Sequence, residues 1–162
     1  MVAIKPSIQF HLPNPSLTTE LGHWLAPFLV AGDILLLTGS IGAGKTHLAR
    51  AIIQARMGED VDVPSPSFSL IQTYEAPNTE IWHADLYRLG HPDEVLELGL
   101  EQAFATAICL IEWPERMGNL LPPQAIAISL LQVEDAREVV VCAPNHPHLI
   151  AALQSEWCDG HE

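Results

Sequence analysis

An α/β fold of three layers around a mixed central sheet is predicted by three features of the sequence. "ILLLTG" at 34–39 is a short continuous apolar run, the pattern of a strand covered on both faces, and it leads through glycines into a helical stretch that begins after Gly44. "AICLIEW" at 107–113 is a second such run. "QAIAISLLQ" and "EVVVCA", either side of the turn "VEDAR", read as an antiparallel hairpin, so the sheet is expected to mix parallel and antiparallel pairs.

The elements follow in order. Ile8, Phe10 and Leu12 alternate in "SIQFHL" as in a half-buried strand, and "LPNP" turns the chain. Ser16 is the expected N-cap of a helix whose stripe is Leu17, Leu21, Trp24, Leu25, Phe28 and Leu29, closed by Gly32 and Asp33. After the buried strand at 34–39, Leu48, Ala49, Ile52 and Ile53 mark the inward face of the second helix, which stops at Gly58. A loop rich in Asp and Pro, "DVDVPSPS", precedes two strands, "FSLIQTYE" and "EIWHAD", joined across "APN". Pro92, Asp93 and Glu94 suit a helix amino end in "HPDEVLELG", a short helix covers 100–105, and "PHLIAALQSEW" forms a last helix.

At 162 residues the chain is expected to be a single domain over 1–162. Neither a signal peptide nor a membrane span is indicated: the apolar stretch from Pro27 to Leu37 is interrupted by Asp33. Cys109, Cys142 and Cys158 lie far apart with no C-x-x-C pair, which fits reduced thiols in the cytoplasm. The net charge of −13, with two lysines and five arginines, repels polyanions and disfavours a broad nucleic-acid face. Any RNA role is expected to run through a partner.

Gly39 to Thr46 matches G-x-x-x-x-G-K-[ST], with a strand before it and a helix after, which is the context of a phosphate-binding P-loop. Gly42 and Gly44 let the backbone curl so that amides converge on phosphate, with Ala43 between them. Lys45 supplies a charge for the β- and γ-phosphates, Thr46 a hydroxyl for Mg²⁺, and His47 a backbone N–H. The chain has no N-K-x-D and no D-x-x-G, so ATP is favoured over GTP. Few arginines argue against a small-molecule kinase. Asp85 and Glu112, each closing a predicted strand, are the candidate carboxylates for hydrolysis or metal binding, and Ser67 in "SPSF" is a candidate switch hydroxyl. His83 and Asp85 lack a third ligand for zinc, and Trp113 is expected to pack. A kinase and a nucleotide-gated binding protein without turnover stay open at this point.

"GSIGAGKTHLAR", "VPSPSFSLIQTYE", "IWHADLYRL" and "AICLIEWPER" together resemble, in order and spacing, the TsaE (YjeE) family of small bacterial ATPases, over roughly 12–137. The resemblance implies a Mg²⁺-dependent ATPase required for threonylcarbamoyladenosine formation on tRNA, beside the anticodon. It implies that the protein acts with the TsaD and TsaB proteins and does not transfer the group itself. Carried over by motif, residues 42–47 would hold ATP, Thr46 and Glu112 would hold Mg²⁺, Asp85 would support hydrolysis and Ser67 would be the switch hydroxyl. Pro15, in the turn where the family's chain passes the nucleotide, would contact it through its backbone, and Arg137 would flank the adenine. The chain departs from the family's pattern at Ser40, where an acid is usual, at His47 and Ser67, where threonine is usual, and at Ala84, where an aromatic is usual; none of these removes a phosphate or metal ligand.

Overall fold

A computed structural model describes residues 6–58 and 60–161. Seven strands form one sheet: β1 (Ser7–Leu12), β2 (Ile34–Thr38), β3 (Ile71–Ala76), β4 (Thr79–Asp85), β5 (Ile108–Glu112), β6 (Ile126–Val133) and β7 (Ala136–Cys142), in the order β1-β7-β6-β2-β5-β4-β3. The middle strands β6, β2, β5 and β4 run parallel, while β7, β1 and β3 join antiparallel. This is the predicted mixed sheet. It sets the carboxyl ends of β2, β4 and β5 side by side, with Leu37 opposite Glu112 and Glu112 opposite Asp85.

Two apolar layers sandwich the sheet. On one face Leu21 and Leu25 of α1 (Pro15–Leu25), Leu48, Ile52 and Ile53 of α2 (Lys45–Met57), and Leu149 of α5 (Pro147–Ala152) pack against Leu35, Leu37, Ile81 and Leu110. On the other, Val95 of α3 (Glu94–Glu97), Leu100 and Ala103 of α4 (Leu100–Thr106) and Met117 cover Ile34, Cys109 and Ile111. All five residues of β5 are buried, which is why its sequence is a continuous apolar run and not an alternation. Each fully buried Leu or Ile contributes on the order of 2 kcal/mol. Burial pushes the Cys109 thiol up to about 12, leaving it protonated and inert.

Four details differ from expectation. The N-cap of α1 is Asn14, whose side chain accepts from Leu17 N at 3.1 Å; Pro15 takes the first helical position and Ser16 lies inside. Pro27 lies within the predicted apolar stripe and cannot continue an α-helix, so α1 ends at Leu25 and the chain tightens into a 3₁₀ turn over Ala26–Phe28. Strand β3 starts at Ile71, because residues 67–70 form a turn closed by Leu70 N donating to Pro66 O at 2.8 Å; Phe68 is thereby 84% exposed. The last helix changes to a π-helical segment over Leu153–Cys158.

Candidate functional site

The glycine-rich loop links β2 to α2, and positive φ at Gly42 (81°) and Gly44 (111°) lets it turn back over the helix end. Gly44 is the N-cap of α2 and brings no side chain to it, in contrast to Asn14 on α1. The first-turn amides of α2 therefore carry no side-chain cap and face a cleft of about 540 Å³, as an anion-binding helix end does.

Two cations hold the loop's carbonyls. Lys45 Nζ donates to Gly39 O at 2.5 Å and Ser40 O at 2.9 Å, and lies 4.2 Å from the centre of the Trp113 ring. Arg137, from the β6–β7 hairpin, donates to Ala43 O at 2.7 Å and Gly42 O at 3.2 Å. Burial pushes the Lys45 ammonium below the usual lysine pKa, and the charges of Glu112, Glu115 and Asp85 pull it back up.

Glu112 and Asp85 are 2% and 6% exposed, so neither is an ordinary surface acid at a strand end. Glu112 Oε1 accepts the Thr46 hydroxyl at 2.7 Å, and its Oε2 lies 2.7 Å from His83 Nε2. Asp85 Oδ1 accepts Tyr87 N at 3.0 Å and its Oδ2 accepts Ser67 Oγ at 3.3 Å; Ser67 also pairs with Ser65 Oγ at 2.7 Å. Leu70 and Trp113 flank these acids in the left-handed region, with φ of 69° and 58°. For such bulky residues this costs on the order of 1–2 kcal/mol each, strain that the surrounding packing sustains.

Pro15, Gly42, Gly44, Lys45, Thr46, His47, Ser67, Asp85, Glu112 and Arg137 all line the cleft. Ala43 does not: its methyl group is buried in the core, and its backbone serves the loop, the N–H donating to Ser40 O at 3.1 Å and the carbonyl accepting from Arg137. Asn14, Tyr87, Arg88 and Asp135 also line the cleft, and sequence reasoning passed over them as site residues. The tyrosine and arginine stand in the "DLYRL" already singled out, which was the available signal. Trp113 packs, as expected, with its ring 4.9 Å from that of Tyr87, but it also carries the Lys45 ammonium. His83 lies two residues from Asp85, yet its partner is Glu112 on the neighbouring strand.

His47 Nε2 is hydrogen-bonded to Thr19 Oγ1 of α1 at 2.6 Å. Burial first, then the charges of Arg50 and Arg137, lowers its pKa below the ordinary 6.5. The unfolded chain therefore takes up this proton more readily than the native one. The stabilising share of His47 is complete above the ordinary histidine pKa and is lost as pH falls through the native value. Between about pH 7.5 and 5.5 the urea midpoint should fall, and fall less in His47→Gln; equal falls in the two proteins would rule out this linkage.

Strand, glycine-rich loop and uncapped helix, set at the carboxyl ends of parallel strands, place the protein in the P-loop class of α/β folds. Residues 12–139 match the family model described as threonylcarbamoyl adenosine biosynthesis protein TsaE. The tRNA threonylcarbamoyladenosine biosynthesis protein TsaE of Rickettsia conorii is 43% identical over 129 residues, covering 80% of this chain and 74% of that protein. Its counterpart of the same name in Bacillus subtilis is 31% identical over 138 residues, covering 84% and 85%. The crystal structure of Bacillus subtilis YdiB superposes with a TM-score of 0.78 at 24% identity, over 96% of this chain and 99% of that one, a likeness of fold. The chain belongs to the TsaE family. Among the described residues no helix is long and apolar enough to cross a membrane.

Proposed function

We propose that this protein is a Mg²⁺-dependent ATPase required for threonylcarbamoyladenosine modification of tRNA, working in the cytoplasm on a complex of TsaD and TsaB without transferring the group itself. The observation that carries the ATPase reading is the meeting of the uncapped α2 amino end, the Thr46–Glu112 pair and Asp85 in one cleft. The tRNA role rests on family membership.

The donor set suits Mg²⁺. Thr46 Oγ1 and Glu112 Oε1 are hard oxygens 2.7 Å apart, and Mg²⁺ is commonly held by one or two protein oxygens together with nucleotide phosphates and water. A bound Mg²⁺ would neutralise charge on the phosphates. Lys45 lines the same cleft and would turn its ammonium from the loop carbonyls to the phosphates, and the amides of residues 42–47 would cradle them. Asp85 keeps both oxygens partnered by weaker neutral donors, Ser67 Oγ and Tyr87 N, so it can accept a hydrogen bond from a water and steady it for attack. The arginines favour water over a metabolite as phosphoryl acceptor. Arg50, Arg56 and Arg137 are bound to backbone carbonyls, leaving Arg88 as the one guanidinium on the cleft wall without a hydrogen bond among the described residues.

The test is phosphate release by the purified protein, alone and with TsaD and TsaB. Slow release alone, a rise of about tenfold or more with the partners, and a loss of on the order of a hundredfold in Lys45→Ala are expected. Phosphate on an added metabolite would mark a kinase. Nucleotide-dependent association with TsaD and TsaB without any release would mark a binding protein; either result would overturn the ATPase.

A further inference from the structure

We propose that His83 is a positioning residue: it fixes the carboxylate of Glu112 so that Oε1 is presented to Thr46, and through it to a divalent cation. This rests on the reading of Thr46 and Glu112 as the Mg²⁺ ligands.

His83 is wholly buried and does not line the cleft. It stands on β4 two residues before Asp85 and opposite Leu110, so its ring lies one step deeper in the sheet than the two acids. From there Nε2 reaches Glu112 Oε2 at 2.7 Å. The other ring nitrogen, Nδ1, is buried without a partner among the described residues. A neutral imidazole has one N–H and one lone pair. Placing the proton on Nδ1 would bury an unpaired donor and turn a lone pair toward a carboxylate oxygen, whereas placing it on Nε2 satisfies both. The structure thus assigns His83 as the Nε2–H tautomer with one polar contact among the described residues, which is Glu112.

A carboxylate held at one oxygen can swing about its last torsion, which is broad and shallow. Glu112 is held at both, by Thr46 in front and His83 behind. The two anchors are not equivalent. A hydroxyl that gives its oxygen to a cation turns its proton away from that side, so the Thr46 donation to Oε1 is the one a metal disturbs. The His83 donation to Oε2 is on the far side and stays, leaving it as the hold on the plane of the carboxylate. Outer partners of this sort are typically worth 10–100-fold in metal affinity. If the ring served packing alone, an aliphatic side chain of similar volume would do as well and would avoid an orphaned Nδ1.

The experiment measures the affinity of a fluorescent ADP analogue in EDTA and in Mg²⁺ and takes the ratio as the metal's contribution. His83→Leu should leave the EDTA affinity unchanged and cut the ratio about tenfold, and His83→Gln, which restores a donor, should recover most of it. With Glu112→Gln already present, His83→Leu should change the ratio less than about twofold. A wild-type ratio near one removes the Mg²⁺ reading and this proposal with it; a normal wild-type ratio fully retained in His83→Leu overturns the proposal alone. Nitrogen-15 NMR of the histidines in the unmutated protein gives a check that needs no variant to fold. A protonated Nε2 and bare Nδ1 at His83 are expected, and the opposite tautomer would sink the assignment.

Discussion

Glu112→Gln should give a folded protein that still binds nucleotide but releases phosphate on the order of a hundredfold more slowly than the wild type. The amide keeps the shape of the carboxylate. Its oxygen can still accept from His83, and its NH₂ can turn to the Thr46 oxygen, so the buried hydrogen bonds at 2.7 Å on either side keep partners. What is lost is the negative charge next to the loop, and with it the stronger half of the oxygen pair proposed to hold the cation. The loop amides and Lys45, the proposed nucleotide contacts, are untouched. The result should therefore appear as a fall in turnover with metal-free affinity near normal, measured by phosphate release and analogue binding on the same preparation. Turnover within about threefold of wild type would remove Glu112 from the mechanism.

The largest effect on stability is expected at a contact between α1 and α2 that does not line the cleft. Gly22 of α1 faces Ala51 of α2, and a β-carbon placed on it would lie 2.4 Å from the Ala51 β-carbon and 3.2 Å from its carbonyl carbon. Neither atom can move without moving α2 itself. Gly22→Val should cost about 3 kcal/mol by forcing the two helices apart. For a protein of this length that is a fall in Tm of roughly 6–12 °C. The cleft should suffer as well, because α1 carries Asn14, Pro15 and Thr18 of its wall and Thr19 of the His47 contact. Combining Gly22→Val with Ala51→Gly should return part of the loss, less about 1 kcal/mol for the new helical glycine. A Tm shift under about 2 °C in the single variant would show that the helices do not pack this tightly.

The parts of the molecule legible in the sequence are those where one local pattern determines one element. The β2–loop–α2 unit and the β6–β7 hairpin each sit within a single run of residues, and their glycines, apolar spacing and turn residues agree. Phe68 misled because its apolar neighbours suggest a strand, while the bond from Leu70 N to Pro66 O closes a turn there. Ser16 was displaced as N-cap by Asn14, since a proline at the first helical position moves the cap one residue ahead of it. The site divides in the same way. Lys45 and Thr46 are read from spacing alone, and Asp85 and Glu112 from their place at strand ends. The burial of both acids and the partnership of His83 with Glu112 depend on β4 lying beside β5, a pairing that follows from strand order and not from any local stretch.

Strand order also decides when the loop takes its final form as the chain emerges from the ribosome. The loop is encoded early, at 39–44, yet β2 lies between β5 and β6 in the sheet, and the guanidinium that holds Gly42 and Ala43 comes from Arg137. A nascent chain released only as far as β4 has neither neighbour of β2 and no Arg137. Its loop has at most the hold of Lys45 on Gly39 and Ser40, and Gly42 and Ala43 keep conformational freedom to lose. Non-local pairings of this kind form late and carry the cost of closing long stretches of chain. The loop's observed shape thus belongs to the assembled sheet, and a fragment ending before 137 would carry the motif without the guanidinium that holds Gly42 and Ala43.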